Sequence, residues 1–260
     1  MEKLKFSIGD NNGKLARIKE WLNDDSIIIP DNIRNILKQT DNPKVYTFSL
    51  PSGFSCPFAS DCLSKAHRDT GKISDSKNTE YRCFSATTEA MYPQVRKQRW
   101  HNFDLLKRQD LESMVDLIID SLPNDATIIR IHVGGDFFNE KYLQAWSIVA
   151  RLNPNKVFYG YTKSIPYWVN NIDLIPGNFI LNASYGGRMD SLIDQYNLKS
   201  AIVVFSEQQA IGNGLEIDHD ERHAIVSTKP FALLLHGTQP KDSNASHATK
   251  EIKRLEKLKV

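Results

Sequence analysis

Short apolar runs alternate with stretches of helical spacing along most of this chain. Six runs have the length and composition of β-strands, and helix-like periodicity separates most of them. Such alternation is typical of right-handed βαβ units, which build a mostly parallel sheet with both faces covered. The sequence therefore predicts an α/β fold, either an open doubly wound sheet or a partial (β/α)6 barrel. The predicted strands span residues 45–50, 127–132, 157–161, 179–183, 201–205 and 231–235.

The same pattern predicts a single domain over residues 1–260. Apolar residues in helical spacing from Leu15 to Leu22, and again from Ile33 to Leu37, indicate a helical N-terminal lead-in. A chain of 260 residues is also close to the size of a one-domain α/β barrel. We predict an N-terminal helical cap over 1–43, a barrel-like core over 44–240 and a C-terminal helix over 241–260.

Charge and hydropathy narrow the choice of partner. Lys and Arg number 33 and Asp and Glu 31, so the net charge of +2 provides no global field toward nucleic acid or a membrane. No run approaches the roughly 20 apolar residues of a membrane span, and the first residues lack the apolar stretch of a signal peptide. The sequence predicts a cytoplasmic protein without a membrane partner, and it leaves the oligomeric state open.

The three cysteines are the strongest chemical signal. Cys56 and Cys62 have the spacing C-x5-C, and Cys83 follows after twenty residues. An odd number of cysteines in a reducing compartment argues against disulfides, whereas thiolates suit zinc and iron-sulfur clusters. We predict a [4Fe-4S] cluster on these cysteines, with zinc as the alternative and with Asp61, His67 or an exogenous molecule as fourth ligand. Three free thiols packed as small hydrophobic groups are the remaining interpretation.

Polar or glycine-bearing clusters follow nearly every predicted strand. The loops after the strands of a parallel α/β fold meet at one edge, so these clusters should converge on a site. Each residue could instead form a turn or a helix cap, as Asp136 or Asn139 could before the helix near Glu140. The cofactor-binding candidates are Gly134, Gly135, Asp136, Ser184 and Ser206, and the catalytic candidates are Tyr161, Lys163, Glu207 and His236.

One basic stretch suggests nucleic acid as a partner. It could follow a phosphate backbone, with Trp100 stacking on a base, although a solvated helix face is the more common role of such a charge run. The stretch consists of Arg96, Lys97, Arg99, Trp100, Lys107 and Arg108.

The order of these motifs resembles the phage gene product 88 family. The motifs are FSLPSGFSCP with the second cysteine, YRCFSA, RIHVGGDFF, FYGYTKS, NASYGG and FALLLHGTQP, and they span nearly the whole chain. Members of that family are mostly uncharacterised, so the resemblance implies no activity. It implies a phage protein, whose compartment would be the host cell cytoplasm.

The layout is also similar to the radical SAM superfamily. That resemblance implies a partial (β/α)6 barrel in which the three cysteines hold a [4Fe-4S] cluster and its open iron chelates S-adenosylmethionine. Gly134, Gly135 and Asp136 would then meet the methionine ammonium group. The chain lacks the usual C-x3-C-x2-C spacing and has Asp where Glu is usual. We predict a cluster-binding protein that could be a radical-SAM-like enzyme. The alternative is a non-catalytic protein, braced by the metal or cluster, that binds nucleic acid or a host protein.

Overall fold

The strands form one large sheet and one small hairpin. A computed structural model describes residues 2–9, 12–24, 26–40 and 42–258. Within these ranges seven strands make the large sheet, and two make the separate hairpin. The strands are β1 (Ser7–Ile8), β2 (Val45–Phe48), β3 (Ser64–Ala66), β4 (Ile73–Asp75), β5 (Ile128–Ile131), β6 (Val157–Thr162), β7 (Phe179–Ser184), β8 (Ser200–Val204) and β9 (Phe231–Leu234).

The helices fill most of the chain between the strands. Those after α5 are mostly separated by single strands of the large sheet, which agrees with the predicted βαβ alternation. The helices are α1 (Gly13–Ala16), α2 (Ile18–Leu22), α3 (Asp31–Leu37), α4 (Phe84–Met91), α5 (Pro93–Leu106), α6 (Leu111–Ser121), α7 (Glu140–Leu152), α8 (Ile165–Asn170), α9 (Ser191–Gln195), α10 (Glu207–Gly212), α11 (Arg222–Ile225) and α12 (Asn244–Leu258), with a 3₁₀ turn at Ile172–Leu174.

Helices α6 and α7 show why these segments are helical. The side chain of Asp110 accepts a hydrogen bond from the backbone of Ser113, and that of Asn139 accepts one from Tyr142, so both first turns are capped. Asn139, and not Asp136, therefore caps the helix after β5. Each helix turns an apolar side to the sheet. The buried residues of α6 are Met114, Val115, Leu117 and Ile118.

The large sheet has the order β1-β2-β5-β6-β7-β8-β9. Strand β1 pairs antiparallel with β2, and all the other neighbours pair parallel in sequence order. The prediction of a mostly parallel α/β sheet is confirmed. Strand β1 and the β3-β4 hairpin were not predicted, because two- and three-residue strands are too short to produce a periodic apolar pattern.

The parallel strands are staggered along the sheet. Val45, Ile128 and Val157 pair at one level, so β2, β5 and β6 start together. Strand β7 starts one residue further on, because Phe179 pairs with Phe158. Strand β8 starts four residues beyond the start of β7, because Ser200 pairs with Ala183. Strand β9 starts one residue beyond the start of β8, because Phe231 pairs with Ala201. The total displacement from β2 to β9 is therefore six residues. Stagger of this kind accompanies sheet curvature.

The two faces of the sheet are covered by different elements. On one face Ile129 and Ile131 pack in a core that includes residues of α6 and α7. On the opposite face, here called the inner face, Ile128 packs with Leu15, Trp21 and other residues of α1 to α3. The described part of the predicted lead-in thus contains α1 to α3, but it also contains strand β1, so it is only partly helical. Its residues 1, 10, 11, 25 and 41 lie outside the described ranges, as do residues 259 and 260 of the predicted C-terminal helix.

The predicted domain boundaries stay predictions. Membrane insertion was not expected, and none of the helices in the described ranges has the length and hydropathy that a crossing needs.

Candidate functional site

Loops from several parts of the chain converge at the carboxyl edge of the sheet. The loop after β2 folds back onto the turn after β7, where the backbone N–H groups of Ser60 and Asp61 donate to the carbonyl of Gly186 at 3.2 and 3.0 Å. This docking brings the first two cysteines beside the ends of β5 and β6. We call the resulting group the mouth, because its members influence one another electrostatically: Cys56, Cys62, Cys83, Asp136 and Lys163.

The three thiols of the mouth are held in the protonated form. Burial raises the pKa of Cys56 well above its usual value, and it raises the pKa of Cys62 to about 12 although the charge of Lys163 opposes this shift. Cys83 lies at the N-terminus of α4. Burial raises its pKa too, although backbone N–H groups of Ser85 and of the next residue lower it. Free thiolates, which nucleophilic attack requires, are therefore disfavoured here.

The predicted [4Fe-4S] cluster is wrong. Among the described residues, which include all three cysteines, no group of three or more His, Cys, Asp or Glu side chains is arranged to hold a metal ion. The proposed fourth ligands do not help, because His67 Nδ1 accepts from backbone groups of its own turn and Asp61 packs against Gly186. Without the cluster there is no basis for the radical-SAM-like activity or for the metal-braced alternative. The same finding removes the support for zinc. Binding of S-adenosylmethionine was expected through an iron of the cluster, so that expectation has no support either.

The two glycines of the Gly-Gly-Asp turn are needed for packing. A Cβ atom on Gly134 would lie 2.6 Å from Arg99 Nη1 and closer still to Ser85 Oγ. Gly135 has φ of +89°, a left-handed conformation, and a Cβ there would lie 2.7 Å from Leu50 Cβ. The turn therefore joins the loop after β2 to helices α4 and α5. Its predicted contact with a cofactor stays a prediction.

Asp136 ties the turn to the end of β6. Its Oδ1 accepts from Thr162 Oγ1 at 2.6 Å and from the backbone of Phe137 at 2.7 Å, and its Oδ2 accepts from the backbone of Lys163 at 2.8 Å. Burial raises the pKa of this carboxyl group to about 6, against the effect of these hydrogen bonds. Asp136 should therefore titrate at a higher pH than an exposed carboxyl group does.

Lys163 and Ser184, predicted in different roles, are brought together. The ammonium group of Lys163 donates to Ser184 Oγ at 2.9 Å, to the Ser184 carbonyl at 3.1 Å and to the carbonyl of Tyr185. The residue is 7% exposed. None of the ion pairs formed within the described ranges includes Lys163, so its three hydrogen bonds go to uncharged oxygens.

Tyr161 lies on the inner face with residues that the sequence reasoning missed. Arg130 Nη1 donates to Glu221 Oε1 at 2.8 Å, and Tyr161 Oη lies 3.4 Å from Glu221 Oε2. Burial alone would lower the pKa of Arg130, but the carboxylate of Glu221 raises it above its usual value. Tyr159 is next to Arg130 in the sheet register. We call Arg130, Tyr159, Tyr161 and Glu221 the Arg130 cluster. Its signal in the sequence was an arginine inside an apolar strand.

His236 lies between the mouth and the Arg130 cluster. Its ring packs 4.4 Å from that of Phe84, the residue after Cys83. Desolvation of the ring and the charges of Lys14 and Arg130 lower the pKa of His236 to about 4. The imidazole is therefore neutral at neutral pH.

Ser206 and Glu207 lie elsewhere. Ser206 Oγ accepts from the backbone of Gln209 at 3.1 Å, so this residue caps α10. With Glu207 it borders a groove of about 280 Å³ against α12, which Ile252 and Leu255 also line and which no residue of the mouth lines. The cap interpretation is correct for Ser206.

The central residues of the basic stretch are buried, so they fit neither a nucleic-acid interface nor a solvated helix face. Arg96 is buried and donates to three backbone carbonyls, and Arg99 forms a 2.6 Å pair with Glu89 whose side chains are 6% and 0% exposed. Trp100 is also buried, with the guanidinium of Arg68 4.8 Å from its ring centroid. These side chains brace α4 and α5 beneath the mouth and are not available to a strand of nucleic acid.

Comparison with known proteins agrees with the resemblance found in the motifs. A family model described as Gene product 88 matches residues 10–254. Proteins called Gene 88 protein, from Mycobacterium phage L5 and Mycobacterium phage D29, are each 30% identical to the chain over 128 residues, which is 45% of this chain and 47% of the relative. The chain thus matches less than half the length of these curated relatives. No solved structure matches it.

Proposed function

The chain belongs to the gene product 88 family of phage proteins, and we propose that it binds a small anionic molecule at the mouth. The observation that carries this proposal is the convergence of five ionisable side chains, from several segments of the chain, at the carboxyl edge of a parallel sheet. Ligands of open α/β sheets bind in this position, outside the ends of the strands. For a phage protein the place of action would be the host cell cytoplasm.

The charge of Lys163 favours an anionic ligand. Its ammonium group is largely buried and donates only to uncharged oxygens of Ser184 and Tyr185. Burial of a cation is costly unless an anion compensates it. The Asp136 carboxylate interacts with this charge electrostatically, but none of the ion pairs within the described ranges joins it to Lys163. The protonated thiols add no charge, so a ligand carboxylate or phosphate would find a cation without a full partner.

We also propose that the sheet is a partial (β/α)6 barrel. The sequential order of six parallel strands and their six-residue displacement support this proposal. Curvature of this kind would gather the loop after β2 and the turn after β7 around one ligand.

A thermal-shift screen tests the ligand proposal. Small-molecule fractions of a host-cell extract are added to the wild-type protein and to Lys163→Met. A ligand at about 100 times its Kd stabilises the folded state by about 2.7 kcal/mol, which raises the melting temperature of a chain of this size by about 5–10 °C. We expect at least one fraction to produce such a shift in the wild type and to lose it in Lys163→Met.

The matched control is Lys72→Met, which removes the same charge from an exposed residue of the hairpin loop. It should keep the wild-type shift. If every active fraction shifts wild type and Lys163→Met equally, or if no fraction shifts the wild type, the proposal is refuted.

A further inference from the structure

A carboxylate of the protein itself is bound to an arginine on the inner face of the sheet. Arg130 Nη1 and Glu221 Oε1 lie 2.8 Å apart, and the two side chains are 11% and 2% exposed. The guanidinium also lies 5.2 Å from the ring centroid of Tyr161. Oxyanion recognition by a partly desolvated arginine beside an aromatic ring thus already occurs at this position.

This position begins a polar layer in an otherwise apolar face. At the level where the strands start, Val45, Ile128 and Val157 pair side by side and are fully buried or nearly so. Two residues nearer the carboxyl edge, Arg130 pairs with Tyr159 on the same face. Apolar residues of that size would satisfy the core equally well, because a buried ion pair usually adds little net stability. The polar layer therefore calls for a role other than stability.

The hydrogen bonding of the Arg130 cluster is incomplete. Arg130 Nε is buried and has no hydrogen-bond partner among the residues that the structure describes. Tyr159, which is 0% exposed, makes no hydrogen bond of ordinary geometry there either, although the Glu221 carboxylate is near enough to raise its pKa. Arginine usually holds an oxyanion with two parallel hydrogen bonds, whereas the bond to Glu221 comes from Nη1. An oxyanion placed on the other edge of the guanidinium could accept from Nε, which Glu221 leaves unused.

The backbone of Glu221 is strained in this arrangement. Its φ and ψ are +64° and +4°, a left-handed conformation that a residue other than glycine rarely adopts. It lies in the segment between β8 and β9, just before α11. The segment that carries Glu221 to Arg130 therefore includes a backbone conformation that a non-glycine residue adopts only when the surrounding structure holds it.

We propose that the Arg130 cluster is a binding site for the oxyanion group of a small molecule, a carboxylate or a phosphate, and that Glu221 occupies it as an internal substitute until the ligand arrives. The ligand oxygens displace the Glu221 carboxylate and accept hydrogen bonds from the guanidinium and from Tyr159 Oη. Lys14, an electrostatic neighbour of Glu221, supplies a second cation. The site does not depend on a ligand at the mouth, because none of its residues belongs to the mouth.

Anion titrations of Glu221→Gln test this proposal. Sodium phosphate and sodium acetate are titrated by calorimetry, with sodium chloride keeping the ionic strength constant. While Glu221 occupies the site, only the fraction of molecules in which it has left can bind an anion, and the apparent affinity of the wild type is reduced by that fraction. Glu221→Gln should therefore bind at least one anion about tenfold more tightly or better. Binding of phosphate alone indicates a phosphate ligand, and binding of acetate indicates that a carboxylate is accepted.

The control is Glu216→Gln, which removes the same charge from a side chain that is 77% exposed and should bind like the wild type. Glu221→Gly, which also tolerates the left-handed φ, replaces Glu221→Gln if that variant does not fold. Adding Arg130→Lys to either variant should abolish the gain. Wild-type affinity in the folded Glu221 variants, an equal gain in Glu216→Gln, or a gain that survives Arg130→Lys would overturn the proposal.

Discussion

Gly134→Ala should lower the free energy of unfolding by about 2–4 kcal/mol. The new Cβ atom would lie 2.6 Å from Arg99 Nη1 and closer to Ser85 Oγ, so both groups must move. Overpacking of this kind costs about 1–3 kcal/mol. Arg99 cannot move without disturbing its 2.6 Å pair with Glu89, whose side chain is fully buried. Removing one partner of such a pair costs about 3–5 kcal/mol, and a displaced pair should cost only part of that.

Urea unfolding monitored by the fluorescence of the four tryptophans measures this loss. The matched control is Gly212→Ala at the end of α10, where an added Cβ would meet nothing within 4 Å. It should be neutral or stabilising by up to about 1 kcal/mol, because alanine is the better helix residue. If Gly134→Ala proves as stable as Gly212→Ala, the packing argument is refuted. A stable variant that loses ligand binding would instead favour the cofactor contact predicted for this glycine.

Two further variants test the contributions of two buried ionisable residues, Asp136 and Arg96, to the free energy of unfolding. Because burial raises the pKa of Asp136 from 3.8 to about 6, the carboxyl group stabilises the fold most below pH 3.8, and about 3 kcal/mol of that contribution is lost as the pH rises toward 6. Asp136→Asn should remove this loss, so the difference in unfolding free energy between wild type and variant should change between pH 4 and 7; a flat difference would contradict the burial of this group. Arg96→Met should cost about 1–3 kcal/mol through its unsatisfied carbonyl partners, whereas the exposed Lys97→Met should stay within about 0.5 kcal/mol. Equal melting temperatures would show that Arg96 is not a structural residue.

The sheet was predictable because its signals are local. A buried parallel strand such as β6 must be apolar along its whole length, so the run that begins at Val157 identifies it without knowledge of its neighbours. The same logic placed the polar clusters after the strands and brought Lys163 and Ser184 to one edge. Family membership could also be predicted from the sequence, because the motifs that carry it are short and follow one another in a fixed order along the chain.

The chemistry of the cysteines could not be predicted in this way. Spacing shows that Cys56, Cys62 and Cys83 can approach one another, but metal binding needs thiolates in a suitable arrangement. That arrangement depends on how the loops at the mouth pack, and among the described residues no group of three or more His, Cys, Asp or Glu side chains is placed to hold a metal ion. Sequence spacing therefore predicted a cluster that the tertiary structure does not support.

Buried charged residues also separate what the sequence determines from what packing determines. The sequence by itself determined the alternation of strands and helices, the family and the edge at which the loops converge, because each depends on neighbours along the chain. Only the tertiary structure decided that Arg99 meets Glu89 and that Arg130 meets Glu221, 91 positions away. From the sequence alone a charged residue is expected to be exposed to solvent, because its partner is not known. Only the packing of the folded chain brings such partners together.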